Sequence, residues 1–60
     1  MNVPVDMQVW AAENIGNYLD YAPATVLREV RYRPGFPEPL ANFPGNPRWS
    51  AKAVIEWALK

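Results

Sequence analysis

The chain has 60 residues, half of them apolar, with three Trp, three Tyr, two Phe, and no Cys or His. Six basic and six acidic side chains cancel to a net charge of zero. Such a composition excludes intrinsic disorder, a disulfide framework, a zinc finger and imidazole or thiolate catalysis. What remains is one small domain that must fold on its apolar core alone, burying only about 60% of the surface its unfolded chain exposes.

Residues 1–6 lack the basic and apolar regions of a secretory leader, and no run reaches the roughly 18 apolar residues of a membrane span. A soluble cytoplasmic protein with no membrane partner is expected. An extended N-terminal segment closes on Val9 and Trp10. Residues 11–19 follow as a first helix, with Ala12, Ile15, Tyr18 and Leu19 at helical spacing. Asp20, Tyr21 and Ala22 form a short break, and Pro23 opens a second helix at the position where its missing N–H has no partner to lose. That helix is predicted over residues 23–32, with Val26, Leu27 and Val30 on its packed side and Thr25, Arg28 and Arg31 outward. Two short helices joined by about three residues make a helix-turn-helix unit.

Pro34 and Gly35 must end the second helix, because proline removes a backbone donor and disfavours helical geometry in the residue before it. Residues 38–42 and 48–49 are predicted as two short strands, with Phe43, Pro44, Gly45 and Asn46 supplying the turn between them. This proline-rich ribbon, spanning residues 38–49, reads as a wing. Ser50 is a suitable N-cap for a last helix over residues 51–59, in which Ala51, Val54, Ile55, Ala58 and Leu59 repeat at helical spacing. The predicted fold is mainly α with a small β-hairpin: a winged helix-turn-helix of three short helices, its two-stranded wing between the second and third.

Charge is polarised along the chain. Residues 1–27 hold Asp6, Glu13 and Asp20 with no Lys or Arg, whereas residues 28–60 hold all six cations against Glu29, Glu38 and Glu56. The halves therefore carry about −3 and +3, a distribution suited to a cationic binding face.

The segment Leu19-Asp20-Tyr21-Ala22-Pro23-Ala24-Thr25-Val26, the ribbon Gly35-Phe36-Pro37-Glu38-Pro39-Leu40 and the closing Arg48-Trp49-Ser50-Ala51-Lys52-Ala53-Val54-Ile55-Glu56-Trp57 follow one another in a telling order. Together they resemble the excisionase and AlpA-type family of small winged helix-turn-helix DNA binders within the MerR-like superfamily, over nearly the whole chain. The resemblance implies a second helix in the major groove and a wing along the backbone or minor groove. On that basis Thr25 and Arg28 are expected to read base edges, with Arg31, Arg33, Asn42, Asn46, Arg48 and Lys52 contacting phosphates. Where relatives carry Ser, Arg and Ser at the start of the second helix, this chain has Ala22, Pro23 and Ala24. Fewer polar contacts imply a weak individual binder that relies on cooperative self-association or on a protein partner.

Other readings of the same residues are plainer. Trp10, Trp49 and Trp57 are expected in the core rather than as base-stacking platforms, because each supplies a large share of the apolar burial that a small domain needs. Phe43, beside Pro44 at a turn, reads either as core or as an exposed group that inserts into a partner or packs on a neighbouring protomer. The ribbon prolines read as a stiff scaffold rather than a polyproline ligand. Glu13, Asp20, Glu38 and Glu56, without His or Cys, offer no general acid–base site. No catalytic residue, metal, cofactor or small-molecule substrate is expected.

The expected function is that of an excisionase, a recombination directionality factor of a prophage or mobile element in a bacterial host. It would bend double-stranded attachment-site DNA to favour excision by an integrase of the tyrosine recombinase class. An AlpA-type transcriptional regulator or a phage packaging DNA-recognition domain would present the same sequence features. A small protein-interaction module or phage inhibitor is the alternative of another class, motivated by the zero net charge.

Overall fold

A computed structural model describes residues 3–60. Strand β1 (Val9–Trp10), helices α1 (Ala12–Leu19) and α2 (Pro23–Arg28), strand β2 (Trp49–Ser50) and helix α3 (Ala51–Ala58) follow in order, with 3-10 turns at Val5–Met7 and Val30–Tyr32. The molecule is thus mainly helical, with three short α-helices and one two-stranded antiparallel sheet. The N-terminal segment is not wholly extended as expected, because Met7 N–H closes a turn onto the Pro4 carbonyl at 2.9 Å. None of the helices among the described residues is long and apolar enough to cross a membrane.

Helix α1 starts from Ala11, whose N–H donates to Asn14 Oδ1 at 2.9 Å. It stops where Asp20 takes the left-handed conformation, φ 64° and ψ 45°. The reversal brings Tyr21 N–H onto the Gly16 carbonyl at 2.8 Å. A Cβ built on Gly16 would overlap the Tyr21 carbonyl oxygen, so this turn of α1 admits only glycine.

Helix α2 is shorter than the sequence suggests. Pro34 has no N–H to offer the Val30 carbonyl four residues back, and that carbonyl accepts instead from Arg33 N–H at 3.1 Å, one residue nearer. Tyr32 N–H likewise bonds the Glu29 carbonyl at 3.1 Å. The expected continuous helix over residues 23–32 is therefore an α-helix of six residues followed by a 3-10 turn, broken at Glu29 (φ −128°, ψ −55°).

The strand pairing also differs from expectation. Between the two limbs predicted to pair, one backbone bond forms, from Leu40 N–H to the Arg48 carbonyl at 2.7 Å. Pro37 and Pro39 on one limb and Pro47 on the other have no donor with which to extend a ladder. The return limb finds its partner elsewhere: Trp49 and Ser50 pair antiparallel with Trp10 and Val9. The pairing continues as Ala51 N–H donates to the Gln8 carbonyl at 3.0 Å.

Ile15, Val26, Val30, Trp49, Ala51 and Val54 are fully buried, with Ala12 and Phe36 nearly so. Each helix thus contributes to one core, and Trp10, Leu19 and Trp57 pack against it. Phe36 brings the ribbon into this core, its ring edge-on to Trp49 at 6.1 Å and to Trp57 at 4.9 Å between centroids. Trp57 Nε1–H donates to the Pro34 carbonyl at 3.0 Å, over the tight turn that Gly35 makes at φ 81°. Ser50 caps α3, its Oγ accepting from Ala53 N–H at 3.2 Å. Three residues expected on packed faces lie outside: Tyr18 is exposed on α1, Leu27 is exposed on α2, and Leu59, one residue past the end of α3, is 76% exposed.

Candidate nucleic-acid interface

The residues expected to meet DNA fall into three groups. Arg28 closes α2 and points into solvent, its guanidinium 3.9 Å from the Glu29 carboxylate. Both side chains are more than half exposed, so the pair contributes at most about 1 kcal/mol and exchanges readily for a stronger anion. Thr25 lies three residues earlier, half-buried, with its carbonyl accepting from Glu29 N–H at 2.8 Å.

Arg31, in the 3-10 turn, extends over two rings, its Cζ 5.3 Å from the Tyr32 centroid and 5.4 Å from that of Trp49. Trp49 is fully buried, and its Nε1–H has no hydrogen-bond partner among the described residues. Arg31 therefore does two things: it shields an aromatic face of the core, and it sets a cation where the exit of α2 meets the return limb of the ribbon. Arg48 precedes Trp49 on that limb. Its Nη1 donates to the Pro47 carbonyl at 3.2 Å and to the Asn46 carbonyl at 3.5 Å, so the side chain is folded along its own strand with other guanidinium donors left over. Asn42 and Asn46 are exposed in the loop, and Lys52 is exposed in the first turn of α3.

Arg33 departs from this cluster. Its Cζ sits 5.5 Å from the Tyr21 ring centroid, against the turn between α1 and α2. With Leu19, Tyr21, Trp57 and Lys60 it lines an open groove of about 580 Å³. The structure thus brings Arg31 to the ribbon's return limb and turns Arg33 towards the end of α3.

No protein family, curated protein or solved structure matches this chain.

Three participants escaped sequence reasoning. Tyr32 seats Arg31, a role that the adjacency of Arg31, Tyr32 and Arg33 could have signalled. Tyr21 seats Arg33 from twelve positions earlier in the chain, which only the folded turn reveals. Lys60 joins the same groove from beyond α3. Arg31 and Arg33 are carried on aromatic rings rather than on carboxylates, and a ring holds a guanidinium in place without neutralising its charge.

Proposed function

We propose that this chain binds double-stranded DNA as a small winged helix-turn-helix protein, presenting α2 to the major groove and residues 38–49 as the wing. The observation that supports this reading is the junction at which Arg28 ends α2 and Arg31 lies against Trp49, next to Arg48. Arg28 and Thr25 face base edges, where a guanidinium can hold a guanine bidentately. Arg31, Arg33, Arg48 and Lys52 hold phosphates on either side.

The role that fits a non-enzymatic binder of this size is architectural. Acting as an excisionase, it bends attachment-site DNA, and a tyrosine recombinase integrase then excises the element. Bending a site of 20–30 base pairs costs about 1–6 kcal/mol, which one weakly charged protomer cannot offset. Several copies bound side by side and contacts with the integrase supply the difference. Val3, Val5, Met7 and Val9 are each exposed and offer apolar surface for such contacts. That surface, at zero net charge, also favours a second reading in which the chain is a protein-interaction module.

Fluorescence anisotropy on a labelled duplex across a salt series tests the proposal. Affinity is expected to fall linearly on a log–log plot, with a slope near −0.9 per phosphate contact. Arg28→Ala is expected to weaken binding by about 1–3 kcal/mol and to relax specificity. Absence of binding at low salt, or binding that ignores salt and Arg28, rejects the DNA reading in favour of the interaction module. An excision assay with a tyrosine recombinase integrase and its attachment sites separates an excisionase from a transcriptional regulator.

A further inference from the structure

The ribbon ends in a loop, residues 41–46, built more rigidly than a connection of its length requires. Its base is closed by the bond from Leu40 N–H to the Arg48 carbonyl at 2.7 Å, and Arg48 Nη1 stitches the return limb through the Asn46 and Pro47 carbonyls. Pro39, Pro44 and Pro47 fix φ along both limbs. Gly45 reverses the chain at φ 84°, and a Cβ placed there would meet nothing within 4 Å, so this end of the loop stands clear of the body. At this stiff tip sits Phe43, 40% exposed and outside the core cluster. Asn42 and Asn46, both exposed, flank it. From residue 39 to residue 55 the chain carries Arg48 and Lys52 and no carboxylate.

From this arrangement we infer that Phe43 is an apolar wedge that enters the minor groove and partly unstacks a base step, with Asn42 and Asn46 bonding the groove floor on either side. The inference rests on the DNA-binding reading and gives it a source of bending that phosphate contacts alone do not provide. The minor groove is about 6 Å wide and its floor presents acceptors on every A·T pair, which the amide N–H groups of two asparagines match. Inserted apolar side chains kink the duplex by roughly 20–90°. A rigid loop suits this use, because a flexible one would lose conformational entropy on entering the groove. A protein partner would equally cover a phenyl ring, but the two exposed asparagines and the lack of negative charge between residues 39 and 55 favour a nucleic acid.

The test is the end-to-end energy transfer of a doubly labelled duplex of about 30 base pairs with a TA step in an A·T-rich centre, where kinking is cheapest. The unaltered chain is expected to shorten the end-to-end distance, and Phe43→Leu, which keeps a wedge, to do the same. Phe43→Ala is expected to bind more weakly and leave the duplex straight, with its thermal unfolding midpoint unchanged. Replacing the central step by G·C should reduce the bend of the unaltered chain. If Phe43→Ala binds and bends like the unaltered chain, the wedge is wrong and the DNA reading stands. If Phe43→Ala alters only self-association in sedimentation, the ring is a contact between copies and the wedge is again wrong. If the unaltered chain does not bind the duplex at all, both readings fall.

Discussion

Asp20 and Gly16 together decide whether α1 can turn into α2. Asp20 adopts a left-handed backbone that glycine takes at no steric cost, so Asp20→Gly is expected to raise stability by about 1 kcal/mol, read as a higher urea midpoint at constant slope. Gly16 behaves in the opposite sense to its helix propensity. In an ordinary helix Ala would gain about 1 kcal/mol over Gly, but here the added methyl meets the Tyr21 carbonyl. Gly16→Ala should instead cost about 1–3 kcal/mol, measured as a lowered thermal midpoint. Sequence alone marks Gly16 as a weakness in a helix and Asp20 as part of a break. The identities of the arginines were legible in the same way, but their seats on Tyr21 and Trp49 were not, since each depends on a residue more than ten positions away.

At the scale of elements, α1 and α3 were legible because their apolar spacing is local and their ends carry the Asn14 and Ser50 bonds that close them. Removing the cap by Ser50→Ala is expected to cost about 1 kcal/mol in denaturant unfolding. The end of α2 depends on which carbonyl is left without a donor by Pro34, a question of bond register that apolar periodicity does not answer. The ribbon was legible as a stiff, proline-bound segment, whereas its strand partner was not, because β1 lies at the other end of the chain. Its attachment to α3 is local in space and specific. Trp57→Phe keeps an aromatic ring against Phe36 but loses the bond to the Pro34 carbonyl, and is expected to cost about 1 kcal/mol by chemical denaturation.

For the whole molecule, a chain of 60 residues has a total stability of roughly 3–9 kcal/mol by the usual figure per residue. Trp49 is the largest fully buried side chain, contacting Phe36 and lying beneath Arg31. Truncating a buried Trp to Ala costs about 3–5 kcal/mol, a large share of that total, so Trp49→Ala should lower the urea midpoint more than the other substitutions do. The pairing of Val9 with Ser50 and Trp10 with Trp49 has a kinetic consequence as well. It closes a loop of about 40 residues for four paired positions, and the entropy of that closure must be met before the contacts return anything. The helix-turn-helix, whose contacts are local, can form first, and the two-residue zipper last. A substitution at Val9 should then leave the folding limb of a chevron nearly unchanged and raise the unfolding rate. The lifetime of the native state would thus be set by two short strands, and its rate of formation by the turn at Asp20.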